Sequence, residues 1–289
     1  MKNSYVMLLL LTVAVIALHN LKPEKVKYPT TKKELVVDTY FDTTIVDPYR
    51  WLEDEYSKDT KSWVVKQNSL TDSYMRRSRD IRKIKHRLKD VWNYPFQSIP
   101  FQKDDKIYYF SNSGLQNQSV LKSQNINGKD PITILDPNKL SLDGTVSLSG
   151  LYFSNNKKYM GYGLNKSGSD WQEFYIMDIK SGKTISDQLK WIKFSGMSWN
   201  GNGFYYSRMP EPQNEKRLTE LNSHSKIYYH KVGTSQEEDD LIYYDPDNPF
   251  IFASAYASDD EKYIFLYRYK GTYGNSLSFS IADNSNIKW

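Results

Sequence analysis

"KYMGYGLNKSGSDWQEFYIMDI", Lys158 to Ile179, decides the fold. Two runs rich in Tyr, Ile, Phe and Met flank a turn of Ser, Gly and Asp, the composition of two strands joined by a hairpin. The construction recurs along the chain. "KIYYFSN" (Lys106–Asn112) precedes "SVLKSQNI" (Ser119–Ile126), "GFYYSRM" (Gly203–Met209) precedes "SKIYYHKV" (Ser225–Val232), and "KYIFLYRY" (Lys262–Tyr269) precedes "SLSFSIAD" (Ser276–Asp283). Each pair opens after a polar turn: "QKDD", "SNNK", "WNGN" or "SDDE". First strands begin near Ile107, Tyr159, Phe204 and Tyr263, a period of roughly 50 residues, and such a repeat with several strands per unit marks a β-propeller blade. The spacing predicts about four blades. The last looks unfinished, because no third or fourth strand is legible after "SFSIADNSNIKW" (Ser278–Trp289).

Composition agrees with a mainly β chain. Tyrosine is the commonest aromatic, with 24 of 289 residues, and the mean hydropathy of -0.69 still leaves 39% apolar residues to build a core. A net charge of +5 is a mild excess. Its one cluster, "MRRSRDIRKIKHRLK" (Met75–Lys89), carries Ile81, Ile84, Leu88 and Val91 at helical spacing. The basic residues therefore read as the solvated face of an amphipathic helix, and no nucleic-acid partner is expected. Cysteine is absent, which excludes disulfides, thiolate metal sites and a cysteine nucleophile.

Residues 1–18 read as a targeting segment. Lys2 precedes an uncharged apolar run, Val6–Leu18, which is short for a membrane span and suits the apolar region of an export signal. Val15 and Ala17 offer small residues before a cleavage point, without a clean A-x-A. An uncleaved membrane anchor and a buried helix are the alternatives. The expectation is a secreted or periplasmic protein, or a membrane-anchored one with its bulk outside the cytoplasm. Residues 19–93 then form an extended and helical segment, with Asp54, Ser57 and Asp59 as candidate N-caps for a helix bearing Trp63, Val64, Leu70, Tyr74 and Met75. A break is expected near Ser78, and "NYP" (Asn93–Pro95) stops the helix. Residues 94–289 carry the blades.

Several long motifs occur in order: "YPTTKKELVVDTYFDTTIVDPYRWLED" (Tyr28–Asp54), "VKQN" (Val65–Asn68), "SNSGLQNQSVL" (Ser111–Leu121), "LDPNKLSLDGTVSL" (Leu135–Leu148), "GYGLNKSGSDW" (Gly161–Trp171) and "VGT" (Val232–Thr234). With them the chain resembles the N-terminal portion of prolyl oligopeptidase (prolyl endopeptidase), a family of serine peptidases, over roughly Tyr28–Trp289. The resemblance implies an incomplete β-propeller, about four of the family's seven blades, behind an N-terminal helical segment. It also implies amide hydrolysis after proline in short peptides, by a Ser-Asp-His triad on an α/β-hydrolase domain.

That hydrolase domain is not found in this sequence. The nearest string to a G-x-S-x-G elbow is "GMSWN" (Gly196–Asn200), which ends in Asn and lies in a strand context. The histidines His19, His86, His224 and His230 show no metal-ligand spacing, and no nucleotide or calcium motif occurs. No catalytic residue, metal or cofactor is assigned, and the chain alone is expected to be inactive. The partners implied are short proline-containing peptides and a hydrolase domain supplied elsewhere, with a membrane only if residues 1–18 persist. The alternative function is a non-catalytic propeller that binds peptides or another protein.

The resemblance also implies positions near substrate. Phe194 in "WIKFSGMSW" would line a pocket for the proline ring, and Phe252 in "NPFIFASA" would be a second apolar pocket residue; the plainer reading of each is a core aromatic. Asp170 and Trp171 fall where the family faces the domain boundary, with the acid available to pair with an arginine of the hydrolase domain; a tight turn is the plainer reading. In "DPYRWLED" (Asp47–Asp54), Arg50 and Trp51 would help tie the N-terminal segment to that domain; local packing explains them equally. "RYKGTYGNSL" departs from the family's usual polar turn, which leaves Thr272 and Tyr273 without a pocket role.

Overall fold

The structure, a computed structural model, describes residues 25–128, 130–213, 220–283, 285 and 287–289. The targeting segment expected at 1–18 lies outside the described residues, and no helix among them is long and apolar enough to cross a membrane. The chain divides into two compact units, residues 1–82 and 83–289.

In the first unit, β1 (Val37–Tyr40) and β2 (Thr43–Val46) form an antiparallel hairpin. A 3-10 turn over Arg50–Glu53 leads to helix α1 (Lys58–Arg76). Ser57 is the N-cap, its hydroxyl accepting the Thr60 N–H at 3.1 Å, which satisfies one of the donors a helix start leaves unpaired. The Thr60 hydroxyl donates to the Trp51 carbonyl at 3.1 Å and locks turn to helix. After the expected break, α2 runs over Ile81–Trp92. Its Ile84, Leu88 and Val91 are exposed, so its apolar stripe has no cover among the described residues.

Beyond α2, most of which falls within it, the second unit is four antiparallel meanders. Sheet 1 holds β3 (Phe96–Gln97) and β4 (Phe101–Lys103), both paired to β5 (Lys106–Asn112), then β6 (Val120–Asn125) and β7 (Ile132–Leu135). Sheet 2 runs in order β8 (Val146–Phe153), β9 (Tyr159–Lys166), β10 (Gln172–Asp178), β11 (Lys183–Ile192). Sheet 3 is β12 (Ser198–Asn200), β13 (Gly203–Arg208), β14 (Lys226–Lys231), β15 (Asp240–Tyr243). Sheet 4 is β16 (Phe252–Ala257), β17 (Tyr263–Tyr269), β18 (Asn275–Ile281). The strand pairs legible in the sequence are the central two of sheets 1 to 3, and the centre and edge strands β17 and β18 of sheet 4. In the last unit β16 precedes the pair, and no strand follows β18 among the described residues, as expected.

Faces of successive sheets meet in three apolar seams. Tyr108 and Leu121 of sheet 1 pack with Met160, Tyr162 and Leu164 of sheet 2. Phe174, Ile176 and Leu189 of sheet 2 pack with Trp199, Phe204 and Tyr206 of sheet 3. Tyr205 and Ile227 of sheet 3 pack with Ala253, Ala255, Ile264 and Leu266 of sheet 4. No apolar cluster joins sheet 4 to sheet 1 among the described residues. The outward face of sheet 4, Tyr256, Tyr263, Leu277, Phe279 and Ile281, is exposed. Sheets stacked in this way bury each blade only against its neighbours, and this face is covered by no sheet among the described residues.

At one end of the stack the four polar turns are fastened in succession. Lys157 Nζ pairs with Asp104 at 2.5 Å. Asn156 donates to the Gly201 carbonyl at 3.1 Å, and Asn200 to the Glu261 carbonyl at 2.9 Å. Each turn carries one left-handed residue, Asp104, Lys157, Gly201 or Glu261. That conformation is uncommon for a non-glycine residue, and its repetition marks one geometry used four times.

Candidate substrate-facing site

Antiparallel register collects the other strand ends in one place. Gln172 is opposite both Asn165 and Ile192, Arg208 is opposite Lys226, and Phe252, Tyr269 and Asn275 lie in one row. The residues singled out in sheets 2 to 4 therefore share the end of the stack opposite the fastened turns.

Phe194 lies between β11 and β12 in the left-handed conformation, φ 53°, and is 54% exposed. The core-aromatic reading of Phe194 does not hold. Its ring meets Phe252 edge-on, with centroids 6.2 Å apart at 78°, and Phe252 stacks on Tyr269 at 5.7 Å. Its two neighbours are pinned. Lys193 donates to Asn222 Oδ1 at 2.9 Å and lies 4.3 Å over the Trp171 ring. The Ser195 hydroxyl accepts the Ser207 N–H at 2.8 Å and donates to the Gly196 carbonyl at 2.9 Å. Trp191 is also left-handed, φ 62°. Strained backbone held by surrounding contacts concentrates at functional positions, and here it projects one aromatic ring outward from an anchored loop.

"GSDW" divides into two parts. Asp170 is exposed, whereas Trp171 is buried and packs edge-on against Trp191 at 5.8 Å. Burial lowers the Lys193 pKa, and the charge of Asp170 opposes that shift. Asp170, Trp171 and Phe194 are thus joined through Lys193. The sequence reading missed Trp191, Lys193, Asn222 and Tyr269. Trp191 and Lys193 sit inside the motif that pointed to Phe194, but nothing in the sequence signals Asn222, which comes from a separate loop.

Arg50 and Trp51 belong to the first unit. Arg50 pairs with Asp38, with Asp47 at 2.8 Å and with Glu53 at 3.4 Å. Hydrogen bonds to Asp38 and Asp47 raise its pKa, and the one from Arg50 is the main reason the Asp47 pKa is lowered. Trp51 donates to the Lys32 carbonyl at 3.0 Å. These contacts tie the β1–β2 hairpin to the 3-10 turn.

Neither described strand-flanking histidine adjoins a serine nucleophile. His224 Nδ1 is 2.9 Å from the Tyr244 hydroxyl. His230 is fully buried, with Nδ1 2.7 Å from Asp239 and Nε2 3.2 Å from Asp187. Tyr206 donates to the other Asp239 oxygen at 2.6 Å, and the Gly233 N–H donates to Asp187 at 2.6 Å. No group of His, Asp and Glu among the described residues is arranged to hold a metal ion.

A family model described as the prolyl oligopeptidase N-terminal beta-propeller domain matches residues 28–287. The chain belongs to the prolyl oligopeptidase family. It is 40% identical over 252 residues to a prolyl endopeptidase of Elizabethkingia miricola, covering 87% of this chain and 36% of that protein. To prolyl oligopeptidase A of Amanita bisporigera it is 35% identical over 301 residues, covering 91% and 39%. Prolyl oligopeptidase B from Galerina marginata, solved bound to a 25mer macrocyclization substrate, superposes with a TM-score of 0.76 at 31% identity, covering 91% of this chain and 40% of that one. The chain thus spans about two fifths of its relatives' length. The four sheets are the blades of the prolyl oligopeptidase propeller, and every strand pair among the described residues is antiparallel.

Proposed function

We propose that this chain is the N-terminal and propeller part of a prolyl oligopeptidase-like serine endopeptidase that cleaves short peptides after proline, and that by itself it does not cleave. The observation that carries the reading is the Phe194–Phe252 pair: an exposed, left-handed aromatic set edge-on to a second ring at one end of the sheets. Two such rings offer an apolar wall to a proline, whose ring is rigid and which lacks an amide donor to be left unpaired. Asp170 would pair with an arginine of the hydrolase domain. Arg50 and Trp51 would present the N-terminal unit to that domain, with the ion pairs fixing the turn's shape. The nucleophile, its base and the oxyanion donors would come from the hydrolase domain. A blade assembly over the cleft restricts entry to short, flexible peptides. Residues 1–18 would direct export.

The test uses a proline-linked chromogenic peptide. Purified chain alone should show no turnover. The same chain joined to, or mixed with, a hydrolase domain of the family should cleave after proline and be blocked by a serine-directed inhibitor. Inhibitor-sensitive turnover by the chain alone overturns the inactive assignment. A fused enzyme indifferent to Phe194→Ala overturns the pocket. The alternative, a free-standing peptide-binding module, is disfavoured by the uncovered face of sheet 4.

A further inference from the structure

A second cleft lies at the fastened-turn end, between sheets 1 and 2 and away from Phe194. It is a cavity of about 810 Å³ whose wall includes Tyr108 and Phe153, with Lys103, Lys106, Lys157 and Lys180 among its lining residues. An apolar trough of about 480 Å³ continues from it along β4 and β8, past Phe101, Phe110, Leu148 and Leu151, with Lys103 and Phe153 common to both. The whole is a groove with an aromatic floor and a cationic mouth.

The charge at that mouth is not balanced by the fold. Lys103 and Lys106 are register partners across the β4–β5 hairpin, and like charges directly opposite one another destabilise a sheet. Both lie on the strand face that carries Phe101 and Tyr108, so both lean over the groove. Asp104 and Asp105 also line the mouth, but Asp104 is taken by Lys157 at 2.5 Å. Asp178, which accepts the Ser181 N–H at 2.7 Å, adds a carboxylate near Lys180. Four lysines thus line the mouth beside Asp104 and Asp105, with Asp178 near one of them, and Lys103 and Lys106 remain the opposed pair. Tyr108 and Phe153 pack edge-on at 4.9 Å and form the groove's floor.

We propose that this groove binds short acidic peptides, apolar side chains lying along Phe101, Leu148, Leu151 and Phe153 and a carboxylate held by Lys103, Lys106 and Lys180. Amphipathic lining selects a ligand with both parts. An anion without an apolar body gains little at exposed lysines, and an apolar peptide without charge leaves the opposed lysines unrelieved.

The test is fluorescence anisotropy with the full chain and a labelled, C-terminally amidated Leu-Phe-Glu-Asp peptide, beside its equally amidated Leu-Phe-Gln-Asn analogue, which carries no carboxylate, and labelled decanoate. The acidic peptide should bind, and should weaken by about tenfold in the Lys103→Glu/Lys180→Glu variant, a change of about 1.4 kcal/mol. High salt should weaken it likewise. Phe194→Ala should leave it unchanged, which separates this groove from the substrate-facing site. Circular dichroism should show both variants folded, these side chains being exposed; if the double variant is not folded, Lys180→Ala carries the comparison with a smaller loss. Equal binding of the neutral analogue, binding indifferent to the lysines, or binding of decanoate but not peptide overturns the proposal.

Discussion

His230 of β14 lies between two carboxylates, Asp239 at 2.7 Å and Asp187 of the neighbouring sheet at 3.2 Å, with all three side chains shut off from solvent. A neutral imidazole donates from one nitrogen only, whereas both nitrogens here face acceptors. Burial works against the charged ring, but Asp239 and Asp187 outweigh it and the pKa is raised. Whichever proton it carries, the ring bridges sheets 2 and 3 through Asp187.

A pH dependence follows. A group with a raised folded pKa gives stability that is complete below its unfolded pKa, about 6.5 for histidine, and lost as pH rises through the folded value. Thermal melts taken from pH 6 to pH 9 should show the melting temperature falling. His230→Gln should melt lower throughout, by about 3 kcal/mol of stability at neutral pH, and lose that part of the slope. A wild-type melt flat across the range argues against a charged ring.

Trp199 is buried in the sheet 2–sheet 3 seam, donating to the Tyr152 carbonyl at 2.9 Å and packing on Phe204 at 5.1 Å. Trp199→Ala should cost about 3–5 kcal/mol in denaturant titration. A loss below about 1 kcal/mol would mean the seam refills the space.

Phe194 offers the opposite case. Exposed and outside any strand, its replacement by Ala should alter stability by about 0.5 kcal/mol or less. Capture of a proline-containing peptide by the chain joined to a hydrolase domain should weaken, read as a raised KM. Unchanged KM removes the ring from the pocket.

Sheet 4 should govern solubility. Phe279 and Ile281, 63% and 68% exposed, belong to an outward face free of charge, and such faces invite association. Phe279→Lys/Ile281→Lys should lower light scattering of the isolated chain while leaving its circular dichroism intact. Scattering that does not respond would place the sticky surface elsewhere.

The strand pairs were legible because Tyr, Ile and Phe recur along them. The opening edge strands of sheets 2, 3 and 4 were not. β16 turns Ala253 and Ala255 toward Tyr205 and Ile227, and small residues that admit a neighbouring sheet carry little strand signal. β8 is interrupted at Gly150 by a register shift, and β12 is only three residues long. The Asp187–His230–Asp239 cluster was invisible, since Asp187 lies 43 positions from the histidine. Phe194 was found only through its motif. That it would be left-handed was not readable, because nothing in a phenylalanine announces the conformation that a glycine would have.

The chain of fastened turns, Asp104–Lys157, Asn156–Gly201 and Asn200–Glu261, links each unit only to the one synthesised just before it. Each such contact needs only chain already made, so the geometry allows a nascent polypeptide to fasten each new blade as it leaves the ribosome, without waiting for distant segments.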